Sequence, residues 1–241
     1  MADVGPKGMP VVQSPGTIHR FAVQEQTSYR EIPTVAMLPR NDVIVHEENM
    51  MANEFYALMG RMRYITRWGL MRNSFTENIS EHSHQVAVLA HALALIRRDI
   101  LKLEGPDPDR CAVAALYHDA SEILTGVMPT PIKYYNPEIK DAYKLVERIA
   151  GERLLTMIPQ ELRSAYEHLV LEDDEELNPI VKAADKLSAH IKCLEEQKAG
   201  NTEFDSAAKQ TWDAMKAMKL PELEWFLENC LAPFTMNLDQ L

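Results

Sequence analysis

The chain has 241 residues, 46% of them hydrophobic, with only nine glycines and little strand-like alternation, a balance that points to an all-α fold with a sizeable core. A net charge of −11 excludes the basic surface that a nucleic-acid polymer needs, and leaves small anionic substrates that meet locally gathered cations. No apolar run is long enough for a membrane span, no secretory h-region opens the chain, and Cys111, Cys193 and Cys230 lack pairing or CxxC spacing, as in a reducing cytoplasm.

Residues 1–50 hold prolines, glycines and polar residues without period, as in Gly5-Pro6, Gly8-Met9-Pro10 and Ser14-Pro15-Gly16. They read as an extended or disordered N-terminal extension, with Met50-Met51 as an alternative start. Residues 51–241 read as one helical domain. Its first helix is expected from Phe55 to about Trp68, with Phe55, Leu58, Met59, Met62 and Ile65 on one face. A polar connection over Arg72 to Asn78 leads to a second helix from about Ser80 to Leu103. Val86 to Ile96 is apolar almost all round, which predicts a central, buried helix.

Asp107-Pro108 is an N-cap followed by proline at the first helical position, and that helix is expected to run through Leu124 to Thr125-Gly126. Pro129-Thr130-Pro131 forbids helix. Asn136-Pro137 starts a helix to about Ile158, and Pro159 opens another to about Leu171. Asn178-Pro179 begins a long helix ending at Ala199-Gly200, where glycine suits a left-handed cap. Two more helices cover about 202–218 and 221–230.

Within these helices lie His82, His118-Asp119 and Asp185, two imidazoles and two carboxylates. That donor mix suits a divalent metal of the Mn, Fe, Co or Ni kind, and also zinc. Such an ion can polarise a phosphate and activate water near neutral pH. Each residue also has a plainer reading. His118-Asp119 can be a buried hydrogen-bonded pair, His82 a solvent-facing helix-start histidine, and Asp185 an ion-pair partner of Lys182 or Lys186. The four together make the metal reading the more specific one. Glu122, four residues past His118, falls one turn further along the same expected helix and can handle a proton on the attacking water. Arg67 can pair with phosphate oxygens and Trp68 can pack against a sugar or base, or both can be ordinary surface and core residues. His91, in the apolar run of the second helix, reads as a satisfied core histidine.

The order His82, His118-Asp119, Asp185 resembles the HD-domain metal phosphohydrolases. The match is closer still to the bacterial 5′-deoxynucleotidases of that superfamily. The segments that carry it are Arg67 to Asn73, Glu77 to Ser83, Leu116 to Glu122, Pro129 to Tyr134, Lys182 to Asp185 and Cys193 to Glu196. The resemblance covers about 52–241. It implies an all-α HD fold, a cytoplasmic homodimer and one divalent transition metal (cobalt, manganese, iron, nickel or zinc). It implies His82, His118, Asp119 and Asp185 as ligands and Glu122 as the catalytic carboxylate. Arg67, Trp68, Lys133 and position 127 would meet the substrate, a deoxyribonucleoside 5′-monophosphate cleaved to deoxynucleoside and phosphate. The family carries aspartate where this chain has Val127, and valine can neither accept a hydrogen bond nor move a proton. Two alternatives stay open: a deoxynucleoside triphosphate triphosphohydrolase on the same fold, and a catalytically impaired nucleotide-binding protein.

Overall fold

The computed structural model describes residues 53–129 and 136–241. The N-terminal extension over 1–50, and Lys133, lie outside the described residues. Among the described residues the regular elements are helical, joined by one isolated antiparallel bridge between Thr66 and Asn78. The helices are α1 (Phe55–Met59), α2 (Ile79–Leu95), α3 (Pro108–Tyr117), α4 (Glu122–Thr125), α5 (Pro137–Thr156), α6 (Arg163–Val170), α7 (Asn178–Lys198), α8 (Asp205–Met218) and α9 (Pro221–Asn229). Among the described residues no helix is long and apolar enough to cross a membrane.

Local chemistry sets most helix starts. Asn78 caps α2 in a reciprocal box: its side chain accepts from the Glu81 amide, and the Glu81 carboxylate accepts from the Asn78 amide. Asp107 accepts from the Arg110 amide and Asn136 from the Ile139 amide, each followed by proline at the first helical position. Gly200, at φ 82, takes the left-handed conformation past the end of α7.

Helix α2 packs between α3 and α7, and α7 also carries α8. Val86, Leu89, Ala90 and Leu93 of α2 meet Cys111 and Ala115 of α3 and Ile180, Ala184, Leu187 and Ile191 of α7 in the main core. Burial pushes the Cys111 and Cys193 thiols up to about 12, so both stay protonated, small apolar groups. A smaller cluster of Phe55, Ala120, Leu154, Ile158 and Val170 binds α1 to α5 and α6. There Gly151 allows a close approach: a β-carbon would stand 3.0 Å from Leu171 Cδ2 and 3.2 Å from the Val170 carbonyl oxygen.

Three expectations are corrected. The first helix ends at Met59 instead of Trp68; a 3₁₀ turn over Met62–Tyr64 follows, and Ile65 is extended. The backbone of 65–67 pairs with 77–79 instead, with Arg67 N donating to Glu77 O at 2.9 Å and Ile79 N to Ile65 O at 3.0 Å. A short helix is marginal, and these tertiary contacts outweigh its propensity. The helix expected through Leu124 breaks at His118. Bonds from Ala120, Glu122 and Ile123 to the third residue back tighten 117–123 into turns before α4. His91 is not a core residue: its side chain is part-exposed, with Nε2 3.4 Å from Asp109 Oδ1.

Candidate metal and active site

Three of the longer elements deliver the site. His82 enters from the first turn of α2, His118 and Asp119 from the break after α3, and Asp185 from the middle of α7. Ligand atoms of His82, His118 and Asp185 all lie within 4.8 Å of one another. His82 Nε2 is 3.2 Å from Asp185 Oδ1 and 3.7 Å from Asp119 Oδ2, and His118 Nε2 is 3.3 Å from that same Asp119 oxygen. The structure thus brings all four sequence-selected residues to one point. The imidazoles are buried, while the two carboxylates keep partial exposure, so the site opens on its acidic side.

The histidine rings are aimed by their far nitrogens. His118 Nδ1 sits 2.7 Å from the Ala115 carbonyl oxygen, which can only accept, so Nδ1 carries the proton. His82 Nδ1 lies 3.1 Å from Ser188 Oγ. Both Nε2 atoms are buried and make no hydrogen bond. Buried polar atoms rarely go unsatisfied. Two imidazole lone pairs beside two carboxylates are the donor set of a nitrogen-and-oxygen metal site, so these residues fit a divalent ion.

The electrostatics agree with ionised carboxylates and at least one neutral ring. Burial would raise the Asp185 pKa, but Lys186 and the two histidines hold it well below the usual range. Asp119 is likewise lowered against burial, by His118, His82 and Arg67. Burial and the Arg67 charge lower His82. His118 is raised: burial opposes this, but Asp119 and Asp185 outweigh it. Asp185 also retains the ion pair considered as its plainer role, with Lys186 Nζ 2.9 Å from Oδ2, while its other oxygen faces His82.

Arg67 is anchored by two carboxylates, through Nε to Glu77 at 3.1 Å and through Nη1 to Asp119 at 3.3 Å. Trp68 donates Nε1 to Glu77 at 2.9 Å and packs on Phe204 with ring centroids 5.3 Å apart. Its backbone sits at φ 60, a left-handed conformation that costs a tryptophan on the order of 1 kcal/mol. Glu122 is buried at the start of α4, and its charge adds to those raising the Arg67 pKa. It follows the break at His118 and so does not continue the face of α3. Val127 is half-buried in the loop after α4, next to Gly126 at φ 70, whose carbonyl accepts from Tyr143 at 3.1 Å.

Sequence reasoning missed Glu77, Ser188 and Gln85 as supports of the site. Two of them carry a readable signal: Gln85 is three residues after His82 and Ser188 three after Asp185, which on helices places each on its partner's face. Glu77 sits in a polar connection where no periodicity marks it.

The arrangement is that of an HD-domain phosphohydrolase fold. An HD-domain phosphohydrolase from Listeria innocua superposes with a TM-score of 0.66 over 75% of this chain and 88% of its own, at 21% identity. A cyanophage S-2L HD phosphohydrolase, solved with dA and one catalytic Zn2+ ion, matches at a TM-score of 0.53 and 19% identity, covering 73% and 95% of the two chains. Sequence comparison goes further: the model of the 5′-deoxynucleotidase YfbR-like family matches residues 54–234, and the chain belongs to that family. A 5′-deoxynucleotidase of Erwinia tasmaniensis is 47% identical over 195 residues, which is 80% of this chain and 98% of the relative. A 5′-deoxynucleotidase of Photobacterium profundum is 46% identical over 198 residues, 80% of this chain and all of the relative.

Proposed function

We propose that this protein hydrolyses deoxyribonucleoside 5′-monophosphates to deoxynucleoside and phosphate, using one divalent metal. The observation that carries the reading is the meeting of two buried Nε2 atoms that make no hydrogen bond with two carboxylates, beside an anchored arginine. The family membership and the names of the full-length relatives support the substrate class.

His82, His118, Asp119 and Asp185 would hold the ion, which we take to be cobalt, manganese, iron, nickel or zinc. A bound ion supplies Lewis acidity, offsetting phosphate charge and making water nucleophilic near neutral pH. Arg67 donates to phosphate oxygens with N–H groups beyond those engaged by Glu77 and Asp119, and opposes the charge that grows on them during transfer. Its raised pKa keeps it cationic: burial works against this, but Asp119, Asp185, Glu77 and Glu122 outweigh it. Glu122 takes the proton from the attacking water. Trp68 offers an apolar face to the sugar or base. Lys133 adds a cation for the phosphate. Val127 removes a carboxylate from this set, and the reaction then relies on Glu122 for proton transfer.

We also take the chain to act as a cytoplasmic homodimer. The exposed stripe Leu145, Val146 and Ile149 on α5 supports a self-association that light scattering would detect.

A phosphate-release screen of dNMPs, NMPs and dNTPs with manganese or cobalt tests the reading. Phosphate from dNMPs is the expected product. Tripolyphosphate from dNTPs would instead assign a triphosphohydrolase, and nucleotide binding without any turnover a non-enzyme.

A further inference from the structure

The two site histidines are aimed by acceptors of different kinds. His118 uses a backbone carbonyl, which has no proton to give. His82 uses the hydroxyl of Ser188, which can donate as well as accept, so by itself it leaves the His82 tautomer open. A serine that donated to Nδ1 would put the ring proton on Nε2, the atom turned toward Asp185 and Asp119.

A third residue removes that ambiguity. Ser188 Oγ lies 2.7 Å from Gln85 Oε1, and an amide oxygen only accepts. The serine proton is therefore committed to Gln85, and Ser188 offers His82 only lone pairs. Ser188 and His82 are fully buried, so no water competes for either bond. Gln85 is half-buried and borders a surface cavity of about 550 Å³ together with Glu81, His84 and Val88.

We infer that Gln85 and Ser188 form a positioning relay that holds His82 as its Nδ1–H tautomer and keeps Nε2 available to a divalent metal. Gln85 acts entirely through Ser188, one hydrogen bond removed from the ring. The inference rests on the metal reading above, and its test needs no substrate.

The experiment compares wild type with Gln85→Met, Gln85→Glu, Ser188→Ala and the Ser188→Ala/Gln85→Met double variant. Ring 15N shifts of metal-free protein at pH 8 report the tautomer, with His82 assigned by its loss in His82→Asn. Competition with a chromophoric chelator reports Zn2+ affinity. In wild type, His82 carries its proton on Nδ1. In Gln85→Met, which preserves length but offers no oxygen, the proton shifts toward Nε2 and Zn2+ affinity falls about tenfold or more. Gln85→Glu keeps an acceptor and rescues both readouts. Once Ser188 is alanine, Gln85→Met produces no further loss.

A wild-type His82 protonated at Nε2 overturns the inference. So does an unchanged tautomer and Zn2+ affinity in Gln85→Met, an equal loss in Gln85→Glu, or additive losses in the double variant. A protein that passes these tests yet releases no phosphate from any deoxynucleotide overturns the activity reading and leaves the relay standing.

Discussion

Glu77 Oε2 accepts the indole hydrogen of Trp68 at 2.9 Å, and the same oxygen accepts from Arg67 Nε at 3.1 Å. One carboxylate therefore couples the charged and the aromatic members of the rim. Its burial makes both bonds costly to lose, and the indole bond offsets the left-handed backbone of Trp68. Glu77→Gln keeps the shape but replaces one oxygen with an N–H donor that opposes the groups it faces. A charge-assisted bond is worth about 1.5–3 kcal/mol, so kcat/KM for dNMPs should fall roughly 10- to 100-fold, mostly through KM. Steady-state kinetics with dNMPs check this, and unchanged parameters would remove Glu77 from the site.

Metal removal should silence the enzyme reversibly. Dialysis against a chelator is expected to abolish phosphate release, and added Mn2+ or Co2+ to restore it. Asp185→Asn removes a charge beside two buried histidines, and should lower bound metal, measured by elemental analysis, together with turnover. Turnover that persisted in metal-free protein would refute the site as read.

Glu122 separates proton transfer from metal binding. As a proton carrier and not a ligand, Glu122 can be lost with the cage intact, so Glu122→Ala should retain metal while lowering kcat by about 10²- to 10⁴-fold. Loss of metal in that variant would reassign Glu122 to the cage.

Val127→Asp tests the departure from the family. A carboxylate restored in the loop after α4 should raise kcat for dNMPs. A fall in rate would mean that this chain's chemistry is arranged around the valine.

Acid stability should report a buried pair away from the reacting centre. The Glu196 carboxylate accepts from the Ser74 amide at 2.8 Å and from Asn201 at 2.8 Å, and it pairs with buried Lys192. Lys192 in turn donates to the Phe75 carbonyl at 2.7 Å, so the two residues fasten the loop that follows Trp68. Burial would raise the Glu196 pKa, but Lys192, Asn201 and Ser74 bring it down to about 2 from 4.5. A folded-state value below the unfolded one stabilises above pH 4.5, and that stability is lost as pH falls from about 4.5 to about 2. The contribution is about 3 kcal/mol at neutral pH. Glu196→Gln should therefore be less stable than wild type by a few kcal/mol at pH 7, with the difference shrinking by pH 3 in urea melts. A difference independent of pH would contradict the pair.

Helix positions after Asn78 were largely legible from the chain. Asp107, Asn136 and Gly200 act within a few residues of themselves, so local chemistry sets those ends whatever surrounds them. The ligand candidates were legible too, because histidine and aspartate inside apolar helices are costly without a common purpose. The tertiary structure alone decided the rest. It ended the first helix at Met59, because pairing of 65–67 with 77–79 outweighs the propensity of a short helix. It broke the chain at His118, so that a ring and a neighbouring carboxylate could face one point. It also chose Glu77, Gln85 and Ser188 as supports: helix spacing puts Gln85 and Ser188 on the faces of His82 and Asp185, but only the packing of α2 on α7 joins Ser188 to His82, more than a hundred residues away.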